Sequence, residues 1–350
     1  MDYLKTAVFG LDDGGQSMLK AALQVGSFKI MAVADKDIKL AESVAGEYGC
    51  IAYDDYRQMV MQNQFDCLLV AAGMHHCAEY IRMAMKKKAN VLKLAPPARN
   101  FEEAAELVAL AEQEGVKFAI ANPRRFTPSF LDFRNFLQEG GIEQISLVTA
   151  DCKFGGLPYP LWHTDPKLAG GGVLLRNCYS LIDQIVWNFP APQQVYSLNT
   201  SQTADRQQRL YLTEDTAVVT LKFGENLSGN IVASRTFGPV EEYLKVYSKN
   251  MLLTVSDTYF KVSDRLGDGC KLLNYENDVS GCMKALLGNF ASSVLSPQEN
   301  KLVSSGRENL INMAVIDSAY LSARTGMPEE PARIMNMVQA EPVNIWPDRK

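Results

Sequence analysis

The sequence predicts an α/β protein: a doubly wound parallel sheet, followed by a C-terminal α/β domain with a largely antiparallel open sheet. Three observations lead there. Over residues 1–121, short apolar runs alternate with amphipathic stretches, the pattern of buried parallel strands with helices on both faces. Beyond residue 122, strand-like runs succeed one another mostly without helices between them, which suits antiparallel pairing. The chain has 350 residues, 47% of them hydrophobic and 21% charged. That is too long for one typical domain and fits two, each with its own core.

In chain order, residues 6–10 read as strand, 16–24 as helix, and 29–35 (KIMAVAD) as strand. Helix is expected over 38–48, a continuous apolar strand over 65–72 (FDCLLVAA), and helix over 76–88. Strand 90–94, helix 101–114 and strand 116–121 close the first domain, 1–121. The second, 122–350, opens on a helix in PRRFTPSFLDFRNFLQEGG, which ends at glycines. Strand-like runs follow: QISLVTADCKF, QQVYSLNTS, TAVVTLKF, SGNIVASRTF, EYLKVYSK and MLLTVSD. GGGVLLRNCYSLIDQIVWNF reads as a helix behind a glycine run, and RENLINMAVIDSAYLSARTG as a last long helix.

A net charge of −5 gives no electrostatic case for nucleic acid or an anionic membrane. The one dense basic run, Lys86-Lys87-Lys88, ends a predicted helix, where cations complement the helix dipole. Seven scattered cysteines, none spaced C-x-x-C, suit reduced thiols, and with no signal peptide visible the expected location is cytoplasmic. His75-His76-Cys77 is not expected to bind metal, because consecutive residues at a helix start point in different directions.

The stretch AVFGLDDGGQS resembles a dinucleotide-binding turn with one residue out of place. Gly10 and Gly15 hold the first and third glycine positions of G-x-G-x-x-G, and Asp12 holds the second. A carboxylate there adds bulk and like charge where a pyrophosphate must approach, so Asp12 is expected to weaken binding. Asp35 ends the next strand, 25 residues after Gly10. An acid in that region binds the ribose hydroxyls and repels a 2′-phosphate, which favours NAD over NADP.

With these pieces in place the chain resembles the Gfo/Idh/MocA family of nicotinamide-dependent oxidoreductases over nearly its whole length. The resemblance rests on GLDDGGQ, VADKD, NVLKLAPPARN, RRFTP, WHTDPKLAGGGVLLRNCYSLID and DSAYLSARTG, in that order. It implies a Rossmann domain with a cofactor set of Gly10, Asp12, Gly15, Gln16, Asp35, Ala72 and His76. It also implies a substrate set of Arg124, Trp162, Arg176, Tyr179 and Ser180, and a homodimer or homotetramer formed through the C-terminal sheet.

The departures from the family pattern bear on chemistry. Where the family has Glu-Lys-Pro, this chain has Leu94-Ala95-Pro96; the family's aspartate and histidine become Arg176 and Ser180, while Asp183 stays. General acid–base groups contribute roughly 10²–10⁴-fold, and neither alanine nor arginine moves a proton near neutral pH. Two substitutes present themselves. Lys93 lies on the same strand face as Ala95, displaced by about 6.6 Å, within reach of a lysine stem. His163, with Asp165, follows Trp162 and titrates in the useful range, though a loop histidine bonded locally explains it equally well. Tyr179 either donates a phenolic proton or points into packing, and Cys178 reads as a small packed thiol. The exchanges leave the pocket one positive charge richer, which suits a carboxylate or phosphate on the ligand. Alternatively, Arg176 pairs with Asp151 or Asp165 and serves the fold.

Two functions follow. One is an NAD-dependent oxidoreductase acting on an anionic sugar-like or cyclitol-like small molecule with rearranged acid–base groups. The other is a catalytically inactive member that binds a ligand or a protein partner.

Overall fold

In this computed structural model, residues 3–155, 160–201, 213–236, 238–267 and 271–337 are described. Cys270, position 237 at the end of SGNIVASRTF, and the last residues of the 122–350 domain lie outside them. The chain divides into two units, and both are discontinuous in sequence.

The first unit comprises residues 1–98, 103–126 and 278–307. Its strands are β1 (Leu4–Phe9), β2 (Phe28–Ala34), β3 (Ile51–Tyr53), β4 (Cys67–Val70), β5 (Asn90–Leu94) and β6 (Phe118–Ala121). Its helices are α1 (Asp13–Val25), α2 (Ile38–Tyr48), α3 (Tyr56–Gln62), α4 (Met74–Lys86) and α5 (Phe101–Glu114), the first two residues of α5 grouping with the second unit. The strands form one parallel sheet in the order β3-β2-β1-β4-β5-β6, the doubly wound order expected for dinucleotide binding. All four residues of β4 are buried, as a central strand covered on both faces must be.

A later helix completes this unit. α10 (Val279–Leu295), which the sequence reading passes over, packs Met283, Leu286, Leu287 and Phe290 into the core that holds Met18, Leu19 and Ala22 of α1. The Asp278 carboxylate caps it by accepting from the Gly281 N–H at 2.7 Å. The short β3 and α3 are also absent from the sequence reading; elements of three and seven residues carry little periodicity.

The basic run at the end of α4 is structural. Lys87 donates to the carbonyl oxygens of Val60 and Asn63 at 2.7 and 2.8 Å, and Lys88 pairs with Glu114 at 2.7 Å.

The second unit comprises residues 99–102, 127–277 and 308–350. After α6 (Pro128–Gln138), its strands are β7 (Ile145–Lys153), β8 (Gln194–Thr200), β9 (Thr216–Lys222), β10 (Ser228–Ser234), β11 (Glu241–Ser248), β12 (Met251–Val255), β13 (Tyr259–Asp264) and β14 (Lys271–Asn274). They form a sheet in the order β14-β13-β12-β11-β7-β10-β9-β8, in which β10 and β7 run parallel and the other neighbours antiparallel. Alternate residues of β9 and β7 are buried, the two-residue period of a sheet with one face on the core. The connection from β7 to β8 carries α7 (Pro166–Ala169), α8 (Val173–Arg176) and α9 (Tyr179–Asn188); α11 (Gly306–Thr325) and α12 (Pro331–Met337) follow α10. Among the described residues, Cys50, Cys67, Cys77, Cys152, Cys178 and Cys282 form no disulfide with one another, and no helix is long and apolar enough to cross a membrane.

Within the second unit the Asp317 carboxylate accepts from the Phe101 N–H at 2.8 Å. Burial pushes Asp317 up from its ordinary 3.8 to about 6, against the opposing pull of that N–H and of Arg324. Between those two values the folded chain holds a proton that the unfolded chain has released. Its contribution to stability is therefore complete below about pH 4 and is lost as pH rises through about 6. Asp317→Asn keeps the acceptor and removes the titration. Urea unfolding should show the variant gaining on the wild type by about 2 kcal/mol between pH 4 and pH 7.

Candidate functional site

The C-terminal ends of β1, β2 and β4 bring the expected cofactor residues together. β1 and β4 are adjacent, and the chain leaves them on opposite sides, which opens the crevice where doubly wound sheets bind ligands. Gly10 has φ +79, and a Cβ there would stand 2.6 Å from the Ala72 nitrogen; a Cβ on Gly15 would collide with the Gly10 carbonyl oxygen. Both glycines are therefore required by the turn itself. The Gly10 N–H donates to the Ala34 carbonyl at 2.9 Å, and the Ala72 N–H to the Phe9 carbonyl at 3.2 Å. Gln16 donates through Nε2 to the Leu11 carbonyl at 3.0 Å, fastening the loop from inside.

Asp35 ties β2 to this loop. One carboxylate oxygen accepts from the Leu11 N–H at 2.7 Å and the other from the Asp37 N–H at 2.9 Å. Each carboxylate oxygen has more than one acceptor site, so the acid retains capacity for ribose hydroxyls. The neighbouring Lys36 ammonium lies 2.7 Å from Nδ1 of His76, in the first turn of α4. Burial, then the Lys36 charge, hold His76 below its ordinary range. A neutral imidazole is what lets Nδ1 accept from the ammonium.

Asp12 is the N-cap of α1: its Oδ1 accepts from the Gly15 N–H at 3.0 Å. The carboxylate is thus turned onto the helix terminus. Leu94 lies against the same loop, its Cδ1 2.8 Å from where a Gly14 Cβ would stand. Lys93 of β5 is only 3% exposed, and its Nζ donates to the Leu94 carbonyl at 2.9 Å. Its charge also acts on Cys77, whose thiol burial pushes up to about 11 and whose Sγ donates to the Ala72 carbonyl. Ala95 follows, joined to Pro96 by a cis peptide bond, and Arg124 is buried in the short 3-10 turn Pro123–Phe126.

In the second unit three candidate side chains meet. The Trp162 indole lies 4.0 Å from the His163 ring and 4.7 Å beneath the Arg176 guanidinium. Arg176 also donates to the Ala169 carbonyl at 2.9 Å. Of the carboxylates considered for Arg176, Asp151 pairs with Lys153 at 3.3 Å and Asp165 caps α7 through the Lys167 N–H. Tyr179 is turned into packing: its hydroxyl donates to Asn309 at 2.8 Å, and Asn312 donates to the Asp183 carboxylate at 2.8 Å beside it. Ser180 is half-buried on α9.

Sequence reasoning missed Thr213, Glu214 and Tyr320. The Glu214 carboxylate accepts from the Gly172 N–H at 2.8 Å, the Leu174 N–H at 2.9 Å and the Tyr320 hydroxyl at 2.9 Å. Burial pushes it above the ordinary carboxylate range, and these donors pull the other way. Tyr320 stands in the quoted last-helix motif, but nothing in the sequence marks Glu214 as its partner.

Comparison with known proteins gives the family. Residues 4–122 match the family model described as "Oxidoreductase family, NAD-binding Rossmann fold", and residues 130–251 match the "GFO/IDH/MocA C-terminal domain". The trans-1,2-dihydrobenzene-1,2-diol dehydrogenase of Xenopus laevis is 28% identical over 170 residues, 48% of this chain and 51% of that protein. The chain thus spans about half the length of the curated relatives it matches. Levoglucosan dehydrogenase, solved with NADH and levoglucosan, superposes with a TM-score of 0.85 at 14% identity, covering 94% of this chain and 99% of that one. The WlbA dehydrogenase of Bordetella pertussis, solved with NADH and UDP-GlcNAcA, gives 0.79 at 16% identity over 94% and 98%.

The capping geometry generates a stability test. Asp12→Ala should cost about 1 kcal/mol in urea unfolding by exposing the α1 terminus, whereas Asp12→Asn should stay within a few tenths, since its amide oxygen caps as well.

Proposed function

Because the chain belongs to the Gfo/Idh/MocA oxidoreductase family, we propose that it binds NAD at the Gly10–Gly15 turn. We propose further that it acts as an oxidoreductase on an anionic sugar-like or cyclitol-like molecule. The observation that carries the ligand class is the stack of Arg176 on Trp162 with the His163 ring against the same indole. An indole face covers the apolar face of a sugar ring, and a guanidinium clamps a carboxylate or phosphate. Gly10, Gly15 and Gln16 shape the phosphate turn, Asp35 takes the ribose hydroxyls, and Ala72 and His76 line the crevice beside them.

A bound dinucleotide supplies the hydride acceptor; the chain must supply a group that takes the hydroxyl proton. With Ala95, Arg176 and Ser180 in the family's acid–base places, we assign that role to His163, the imidazole against the indole. Lys93 is the weaker substitute, since its ammonium is buried and bonded to the Leu94 carbonyl. That burial, together with Ala95, favours the second reading, in which the chain binds both ligands and transfers no hydride. We assign self-association to the second unit's sheet, where the exposed Leu198 and Val218 lie in register with Val232.

Calorimetry tests the cofactor assignment. NAD should bind at least tenfold more tightly than NADP, and Asp12→Asn should tighten NAD about tenfold by removing a like charge at the phosphate turn. Equal affinities for the two dinucleotides would sink the Asp35 role.

Chemistry is tested with NAD and a panel of sugar acids and sugar phosphates, read at the reduced-nicotinamide absorbance band. His163→Ala should abolish turnover, and Arg176→Ala should weaken binding of anionic ligands more than tenfold. If the wild type is silent while the combined Ala95→Lys, Arg176→Asp and Ser180→His variant turns over a neutral sugar, the second reading holds.

A further inference from the structure

Two consecutive residues hold both halves of the Arg176–Trp162 stack. The Thr213 hydroxyl donates to the His163 carbonyl oxygen at 2.8 Å, and its N–H donates to the Thr164 carbonyl at 3.3 Å. Those contacts fix the turn that carries Trp162. Next in the chain, the Glu214 carboxylate takes the N–H groups of Gly172 and Leu174, while its own carbonyl accepts from the Val173 N–H at 3.0 Å. Those contacts fix the first turn of α8, which ends at Arg176. Consecutive Cα atoms are separated by about 3.8 Å whatever the rest of the chain does. The spacing of the two loops is therefore referred to one rigid peptide unit.

The glycine run has its reason in the same place. A Cβ on Gly171 would collide with the Tyr320 hydroxyl and one on Gly172 with the Glu214 carbonyl oxygen, while Gly170, at φ +81, lies against the Arg99 backbone. The Tyr320 hydroxyl donates to Glu214 at 2.9 Å and accepts from the Leu175 N–H at 3.3 Å. Glu214 therefore serves three donors with two oxygens, and glutamine cannot replace it, because its NH₂ has nothing to accept with.

We propose that Thr213 and Glu214 are the positioning residues of this ligand face, setting the Arg176 guanidinium over the Trp162 indole from two adjacent points of one strand approach. The ligand class rests on the reading above; the clamp itself does not. Its test uses a Trp187→Phe, Trp346→Phe background, which leaves Trp162 as the one reporter among the three tryptophans of the chain. In full-length protein, Glu214→Gln and Thr213→Val should each raise acrylamide quenching of Trp162 at least twofold. Thr213→Ser, which keeps the hydroxyl, should restore the parent value. Asp278→Asn, at the cap of α10 in the first unit, should leave it unchanged. Should Glu214→Gln not fold, the Thr213→Val and Thr213→Ser pair still decides. Parent-like quenching in folded Thr213→Val overturns the clamp.

Calorimetric titration with D-glucuronate in saturating NAD is the second arm. Affinity for the uronate should fall about tenfold in both clamp variants, with NAD affinity unchanged within twofold. A wild type that binds NAD but no D-glucuronate refutes the anionic-ligand reading, and the quenching result alone then decides the clamp.

Discussion

Backbone packed directly on backbone, with no room for a side chain, is the constraint on which the candidate sites depend. In the first unit Gly15 lies so close to the Gly10 carbonyl that a single methyl group would force the turn open. In the second, Gly172 lies equally close to the Glu214 carbonyl. At each contact a helix terminus faces a carboxylate, exposed at Asp12 and buried at Glu214. Substituting a glycine at these points adds steric collision to any loss of helix capping, so the sites and the fold are coupled through the same atoms.

Carboxylates do the fastening in both units. Asp12 caps α1, Asp35 holds the Gly10–Leu11 turn to the end of β2, Glu214 caps α8, and Asp317 receives the Phe101 N–H. An acid in this role is bound more strongly than a neutral acceptor, because an ionised oxygen shortens and strengthens each N–H···O bond. Burial raises the cost, which is why Glu214 and Asp317 are pushed above the ordinary range. The arrangement places negative charge at the Gly10–Gly15 turn.

Three side chains weighed for the chemistry have defined contacts. Leu94 packs on Gly14, Lys93 is bonded and buried, and Arg176 is stacked and hydrogen-bonded.

The sequence by itself determined the alternation of strand and helix in the first unit apart from β3, α3 and α10, the glycine turn with its acid at the end of β2, and the largely antiparallel sheet of the second. Those features are local: a buried strand is a run of apolar residues, and a turn that needs positive φ asks for glycine at a fixed spacing. It also singled out Trp162, His163 and Arg176, which the structure brings into contact. Tertiary structure alone decided where α10 belongs. Its apolar positions at 283, 286, 287 and 290 are legible as a helix face, but their partners on α1 lie more than 250 residues away in sequence. Tertiary structure likewise turned Asp12 into a cap, sent the Tyr179 hydroxyl to Asn309, and joined Glu214 to Tyr320. A carboxylate or hydroxyl reads the same in sequence whether it meets a ligand, a helix end or another side chain. Only the fold brings its partner within hydrogen-bond distance.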